Sequence, residues 1–222
     1  MAHVVSVNVG RVVPFEGASR LDRSAIDKRP VSGRVALDEL GLAGDEQADR
    51  SVHGGVDQAV YAYAREDLDW WGNQLDRDLR DGQFGENLTT NGVDVTGAVL
   101  GERWRVGSAL LEVASPRIPC RTFQTLLGER AWVRRFTHAA RPGAYLRVLE
   151  PCELGAGDRI EVVSRPTHGL TIGDAFTVMT AQRELAAWML DVPDLPSSVR
   201  DWARERLRHR DPLTPTLGGM LP

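Results

Sequence analysis

The residues most able to do chemistry stand together in Ser115-Pro116-Arg117-Ile118-Pro119-Cys120-Arg121. Two prolines hold this backbone extended and stiff, and two arginines flank a thiol within a few positions. Cations near a thiol favour the thiolate, which is both the nucleophile and the ligand for soft metals. A lone cysteine ordinarily packs as an inert small hydrophobe, but proline stiffness and flanking charge do not suit that role. A second cluster is Gly82-Gln83-Phe84-Gly85-Glu86-Asn87-Leu88, where glycine permits close backbone approach and Asn87 can donate and accept. A third joins Ile26-Asp27-Lys28-Arg29-Pro30 to Val52-His53-Gly54-Gly55: a dibasic pair able to hold a phosphate, and a histidine ahead of two glycines.

Other chemistries fail on motif. Gly41-Leu42-Ala43-Gly44-Asp45 lacks the P-loop lysine and hydroxyl and the dinucleotide spacing. There is no G-x-S-x-G, no H-E-x-x-H, and no Cys/His zinc spacing. Two cysteines, Cys120 and Cys152, cannot hold a four-thiolate cluster or a disulfide framework.

The elements that must position these residues are short. His3–Val9, Glu102–Gly107, Ala109–Ala114, Ala144–Leu149 and Arg159–Val163 alternate or run apolar between glycine-rich turns, which argues for an antiparallel barrel or sandwich rather than βαβ units. Helical spacing predicts helices over Gln58–Leu75 and Arg121–Phe136, the latter interrupted at Gly128. After Pro166, Thr171–Met179, Thr180–Leu190 and Ser197–Arg208 read as three short helices, with Thr180 and Ser197 or Ser198 as N-caps. The predicted organisation is mainly β with added α: a barrel over 1–165, three helices over 166–210, and a poorly ordered tail over 211–222.

The chain has 222 residues and a net charge of −4, and a single lysine, Lys28, stands among 27 cations. Residues 101–150 carry nine cations against four anions, a +5 block in an acidic chain. That is unlike a nucleic-acid polymer binder, which would be basic more globally, and it suits a pocket for a small anion. Arg204–Arg210 reads as the solvated side of an amphipathic helix. No window approaches a membrane span and the N-terminus lacks a secretory pattern, so we expect a cytoplasmic protein.

Taken in order, IDKRPV, GLAGDEQAD, HGG, DQAVYAYA, GENLTT, GERWRVG, SPRIPCR, GAYLRVL and GAGD resemble the MOSC domain, in its YiiM-like branch, from about Val4 to Val163. The three helices beyond are similar to the small 3-alpha domain that accompanies that branch. The resemblance implies a distorted β-barrel that binds a molybdenum cofactor, a molybdopterin carrying the metal. It implies that the Cys120 thiolate is the metal ligand and that Asn87 contacts the pterin or the metal face. Lys28, Arg29, His53, Gly85, Glu86, Arg117 and Arg121 would line the cofactor pocket. It further implies reduction of N-hydroxylated compounds such as hydroxylaminopurines and amidoximes, with electrons from an external redox partner. The alternative within the family is a non-catalytic cofactor-binding or sulfur-carrier module. A chain with one lysine argues against pyridoxal phosphate. A homodimer through exposed tryptophans and the helices would be compatible with this reading. One position departs from the pattern: Cys152 stands where the resemblance implies a glycine in a turn.

Overall fold

The computed structural model describes residues 1–16, 22–48 and 54–208. The first half contributes β1 (His3–Val9), β2 (Val13–Pro14), β3 (Arg23–Ser24), β4 (Arg29–Pro30), β5 (Val35–Asp38), β6 (Gly41–Leu42), β7 (Val60–Ala64), α1 (Arg65–Leu75) and β8 (Leu88–Asn91). The second half adds β9 (Arg103–Val106), β10 (Ala109–Pro116), α2 (Arg121–Leu127), α3 (Trp132–Ala139), β11 (Ala144–Glu150), β12 (Cys152–Leu154) and β13 (Ile160–Ser164). The chain then turns helical through α4 (Ile172–Thr180), α5 (Ala186–Met189) and α6 (Ser197–Arg208).

Eight strands form one sheet in the order β13-β9-β10-β11-β7-β8-β1-β4. The sheet curls until the segment before β13 meets β1, through a His3–Arg159 bridge and the bonds Val4 N to Asp158 O and Ile160 N to Ala2 O. This leaves a barrel that is incompletely closed. The pairings are antiparallel except β7 with β8, where Ala62 faces Leu88 and Ala64 faces Thr90 in parallel register. A parallel pair needs a crossover, and α1 supplies it. The expectation of a sheet without βαβ units is therefore corrected at this one place.

The helix expected over Gln58–Leu75 is corrected in the same region. Its first part is a strand, Val60–Ala64, and the helix starts at Arg65. The segment misreads because all five strand residues are buried, and a run buried on both faces carries no period to distinguish it from a helix. Its two faces serve two cores. Val60, Ala62 and Ala64 join the aliphatic interior with Val4, Leu88, Leu111 and Leu146. Tyr61 and Tyr63 point into an aromatic cluster with Trp71, Phe84, Phe123, Trp132 and Phe136.

The helical region beyond 170 packs into both cores, Phe176 against the aromatic cluster and Ile172, Met189, Val199 and Ala203 against the aliphatic one. Thr171 caps α4 in a reciprocal box with Asp174. Thr180 is not an N-cap: it ends α4, its hydroxyl donating to Phe176 O at 2.7 Å. The predicted second helix is a 3₁₀ turn over Arg183–Leu185 followed by the single turn α5, which leaves Leu185 and Trp188 exposed. Residues 211–222 lie outside the described residues. No helix among the described residues is long and apolar enough to cross a membrane.

Asp57 ties α6 to the barrel. It accepts from Arg147 Nε of β11 at 2.7 Å, from Ser197 Oγ at 3.0 Å and from Ser198 N at 3.1 Å. The ion pair, with the hydrogen bonds of the two serines, holds its carboxyl below the ordinary range against the opposing effect of burial. Asp57→Ala removes a helix-start acceptor and leaves Arg147 with Glu112 alone among its acids, so we expect a loss of about 1–2 kcal/mol in chemical denaturation.

Candidate functional site

Strand β10 runs out of the sheet at Pro116, paired with Ala144, and of the next four residues Arg117, Ile118 and Cys120 line a cleft of ≈ 190 Å³. Cys120 ends this segment. Its backbone is extended (φ −128°, ψ 171°) and it occupies the N-cap position of α2, with no side-chain capping bond. The thiol is free, half-buried, and lines the cleft.

Arg117 sits deeper on the same wall, 6% exposed. Its guanidinium lies 4.3 Å from the Phe123 ring centre and 5.0 Å from that of Tyr61, and it donates to Phe84 O. Among the described residues no carboxylate lies within salt-bridge distance of it, although a buried charge ordinarily requires a partner. Burial opposes the charge, but the surrounding Tyr61, Tyr145 and Cys120 outweigh it and hold the guanidinium above its ordinary range. Burial also pushes the Tyr145 phenol up, partly countered by Arg117, so this hydroxyl keeps its proton. Aromatic faces stabilise a desolvated guanidinium by about 2 kcal/mol or more, which makes the unpaired cation tolerable without neutralising it. Such a cation in a cleft wall is a seat for an anion.

The cleft is also lined by a small network. Lys28 pairs with both oxygens of Asp45, and Asp45 also accepts from Gly10 N at 2.7 Å and from Asn87 Nδ2 at 2.9 Å. Asn87 Oδ1 accepts from Tyr61 N at 3.1 Å and its Nδ2 also reaches Asn8 O at 3.3 Å. Asn87 is thus fixed in place and in turn fixes Asp45. Burial lowers the Lys28 pKa and Arg117 adds to that, against the pull of Asp45.

Gly85 lines the cleft in a left-handed conformation (φ +78°), where a Cβ would come within 3.0 Å of Ile26 Cγ1 and 3.3 Å of Arg117 Nη1. Glu86, expected at the cofactor pocket, points away from it. It is fully buried and accepts from Gly82 N at 2.6 Å, Phe84 N at 3.0 Å and Thr89 Oγ1 at 3.0 Å. It shapes the turn that presents Gly85 and the Phe84 carbonyl. Burial pushes its carboxyl up to about 7, the three donors opposing. A carboxyl that holds its proton more tightly when folded contributes fully to stability at low pH, and that contribution is lost as pH rises through about 7. Glu86→Gln should flatten this part of the stability–pH curve. It should also cost about 1–3 kcal/mol by denaturation, because a carboxamide turns N–H groups toward one of the donors.

The structure therefore brings Lys28, Gly85, Asn87, Arg117 and Cys120 to one cleft. It does not bring Arg29, Glu86 or Arg121 there. Arg29 is exposed and bonded to Asp27 at 2.6 Å, and Arg121 is the exposed first residue of α2. His53 lies outside the described residues. Cys152 is not in a turn but in β12, opposite Leu37, with its sulfur 2.7 Å from Ser108 Oγ. Sequence reasoning missed Asp45, Tyr61 and Tyr145. The two tyrosines face one another across β7 and β11, ring centres 5.2 Å apart. Reading VYAYA as a strand would have put Tyr61 opposite the core-facing alanines; Asp45 carried no signal beyond its glycine-flanked loop.

Among the described residues no three of His, Cys, Asp and Glu are grouped to hold a metal ion. The cleft offers one sulfur donor, an unpaired buried cation and a lysine. A soft metal could sit at Cys120 if it arrived with its other ligands on an anionic carrier.

Comparison with known proteins bears on that chemistry. A family model described as MOSC domain matches residues 49–161. Protein YiiM of Escherichia coli (strain K12) is 34% identical over 182 residues, which is 80% of this chain and 79% of that protein. A protein named Reductase from Gibberella moniliformis (strain M3125 / FGSC 7600) is 32% identical over 191 residues, 83% of this chain but 34% of that much longer protein. Among solved structures, YiiM from Geobacillus stearothermophilus superposes with a TM-score of 0.77 at 28% identity, covering 93% of this chain and 100% of that one.

Proposed function

This chain belongs to the MOSC domain family, in its YiiM-like branch, and from that premise we propose that it is a molybdenum cofactor-dependent reductase of N-hydroxylated compounds. The observation that carries this reading is the placing of a half-buried free thiol and a buried, acid-free guanidinium in one cleft. The donor set fits the cofactor. A metal already held by a dithiolene needs one soft protein ligand, and the anionic pterin phosphate needs a cation.

In this reading Cys120 is the protein ligand of the metal, and Arg117 and Lys28 hold the anionic part of the cofactor. Asn87 keeps the Lys28–Asp45 pair in place, and Gly85 leaves room for backbone contact. When bound, the cofactor supplies the two-electron chemistry that breaks an N–O bond. The net change converts a hydroxylamine, two electrons and two protons into an amine and water. The Tyr145 phenol lines the same cleft and would be available as a hydrogen-bond donor to the oxygen that leaves. Electrons come from a separate redox protein, and we place the reaction in the cytoplasm.

The test is turnover of a hydroxylaminopurine by protein purified from a host that makes the cofactor, with a reduced viologen dye as donor. Formation of the amine at a rate that scales with molybdenum content is the expected result. Retained pterin with no turnover on any N-hydroxylated compound would leave the carrier reading instead.

A further inference from the structure

The charge excess of residues 101–150 divides between two places. Arg103, Arg105, Arg135, Arg141 and Arg147 are taken up by Glu112, Glu150, Glu129, Asp67 and Asp57 respectively. Arg117 belongs to the cleft. The remaining three, Arg121, Arg130 and Arg134, are exposed, and among the described residues none has a carboxylate within salt-bridge distance. All three lie on α2, α3 and the link between them.

Both helices bury one side, Phe123 and Leu127 on α2 and Trp132 and Phe136 on α3, in the same aromatic cluster. Their outward residues, Arg121 and Thr125 on α2 and Arg134 and His138 on α3, follow i, i+4 spacing on the solvent side. Glu129, the one acid of this helix pair, is engaged by Arg77 and Arg135. The pair starts at the cleft, since Cys120 and Thr122 line it on either side of Arg121.

We propose that this arginine face of α2 and α3 is the docking surface for an acidic electron-carrier protein, seated beside the cleft at Cys120. The proposal rests on the reductase reading, which requires electrons from another protein. The charge distribution selects the partner. A chain of net charge −4 repels an acidic protein in general and attracts it only where unpaired cations gather, which orients the encounter as well as speeding it. A nucleic acid would want exposed aromatic rings for stacking, whereas Phe123, Trp132 and Phe136 are fully buried. An anionic membrane would want apolar residues on the same face, and no large hydrophobic residue of α2 or α3 is exposed.

The test uses a flavodoxin, a small acidic flavin protein, as donor and as binding probe, with the full-length protein carrying its cofactor. Binding of labelled flavodoxin and flavodoxin-driven turnover should both weaken with salt in the wild type. In Arg130→Glu/Arg134→Glu, binding and flavodoxin-driven kcat/KM should drop by about tenfold or more and lose their salt dependence. Viologen-driven turnover should be unchanged in that variant. Arg206→Glu/Arg208→Glu, the same change of net charge placed on exposed residues of α6, should leave flavodoxin binding intact. An equal loss in Arg206→Glu/Arg208→Glu would overturn the proposal, because net charge alone would then explain it. So would flavodoxin binding that survives Arg130→Glu/Arg134→Glu while binding of a single-stranded oligonucleotide or anionic vesicles is lost. If viologen-driven turnover is absent from the wild type but salt-sensitive flavodoxin binding at this face persists, the reductase reading fails and the docking face stands.

Discussion

Cys120→Ser is expected to lose reductase activity by more than about 100-fold, since even the partners of metal ligands are worth about 10–100-fold. A serine hydroxyl is a hard donor that stays protonated at neutral pH, so it is a poor replacement for a thiolate on a metal already ligated by sulfur. The fold should not suffer. Cys120 is the N-cap of α2 and makes no capping bond, whereas serine is among the preferred residues there. Unfolding experiments should show the variant as stable as the wild type, or about 0.5–1 kcal/mol more so. Loss of activity in a protein of undiminished stability would place the effect on the thiol itself, and full activity in Cys120→Ser would remove the metal-ligand role.

Arg117→Met separates binding from folding in the same way. Methionine keeps apolar contact with Phe123 and Tyr61 and removes a buried charge that no acid balances, a replacement that is often neutral or stabilising by about 1–4 kcal/mol. Against this, the Phe84 carbonyl loses its donor, at about 1–3 kcal/mol. The two nearly offset, so stability should change by no more than about 2 kcal/mol. Cofactor retention should fall steeply, because a charge-assisted hydrogen bond to an anion is worth about 1.5–3 kcal/mol, or roughly 10–100-fold in affinity. Pterin fluorescence after oxidation of the purified protein measures that retention. Arg117→Lys should recover only part of it, since an ammonium lacks the planar stacking and the forked donors. Wild-type cofactor content in Arg117→Met would show that the buried cation serves packing alone.

How much of this was legible in the sequence follows from how side chains alternate. The thiol stood out because prolines and arginines surround it, and the strand His3–Val9 and the break at Gly128 fall where pattern and turn chemistry put them. The neighbours were harder. Lys28 lines the cleft and Arg29 faces solvent; Asn87 lines it and Glu86 is turned inward; Cys120 lines it and Arg121 begins a helix on the outside. Adjacent residues in extended backbone point to opposite sides, so a motif that names a pair cannot say which member enters the site. Tyr61 and Tyr145 depend on the register of β7 against β11, a pairing between segments more than eighty residues apart. The same limit applied to charge. The +5 block suggested a single anion pocket, but one arginine of the unpaired four reaches the cleft and three lie on the helix pair beside it.

The central claim is that the Cys120 sulfur is a ligand of molybdenum in this cleft. X-ray absorption at the molybdenum edge, on protein purified from a cofactor-competent host, reads the sulfur neighbours of the metal directly. We expect molybdenum bound together with pterin, and one sulfur neighbour fewer in whatever metal Cys120→Ser retains. An unchanged sulfur shell in that variant, or wild-type protein that carries neither molybdenum nor pterin, would contradict it.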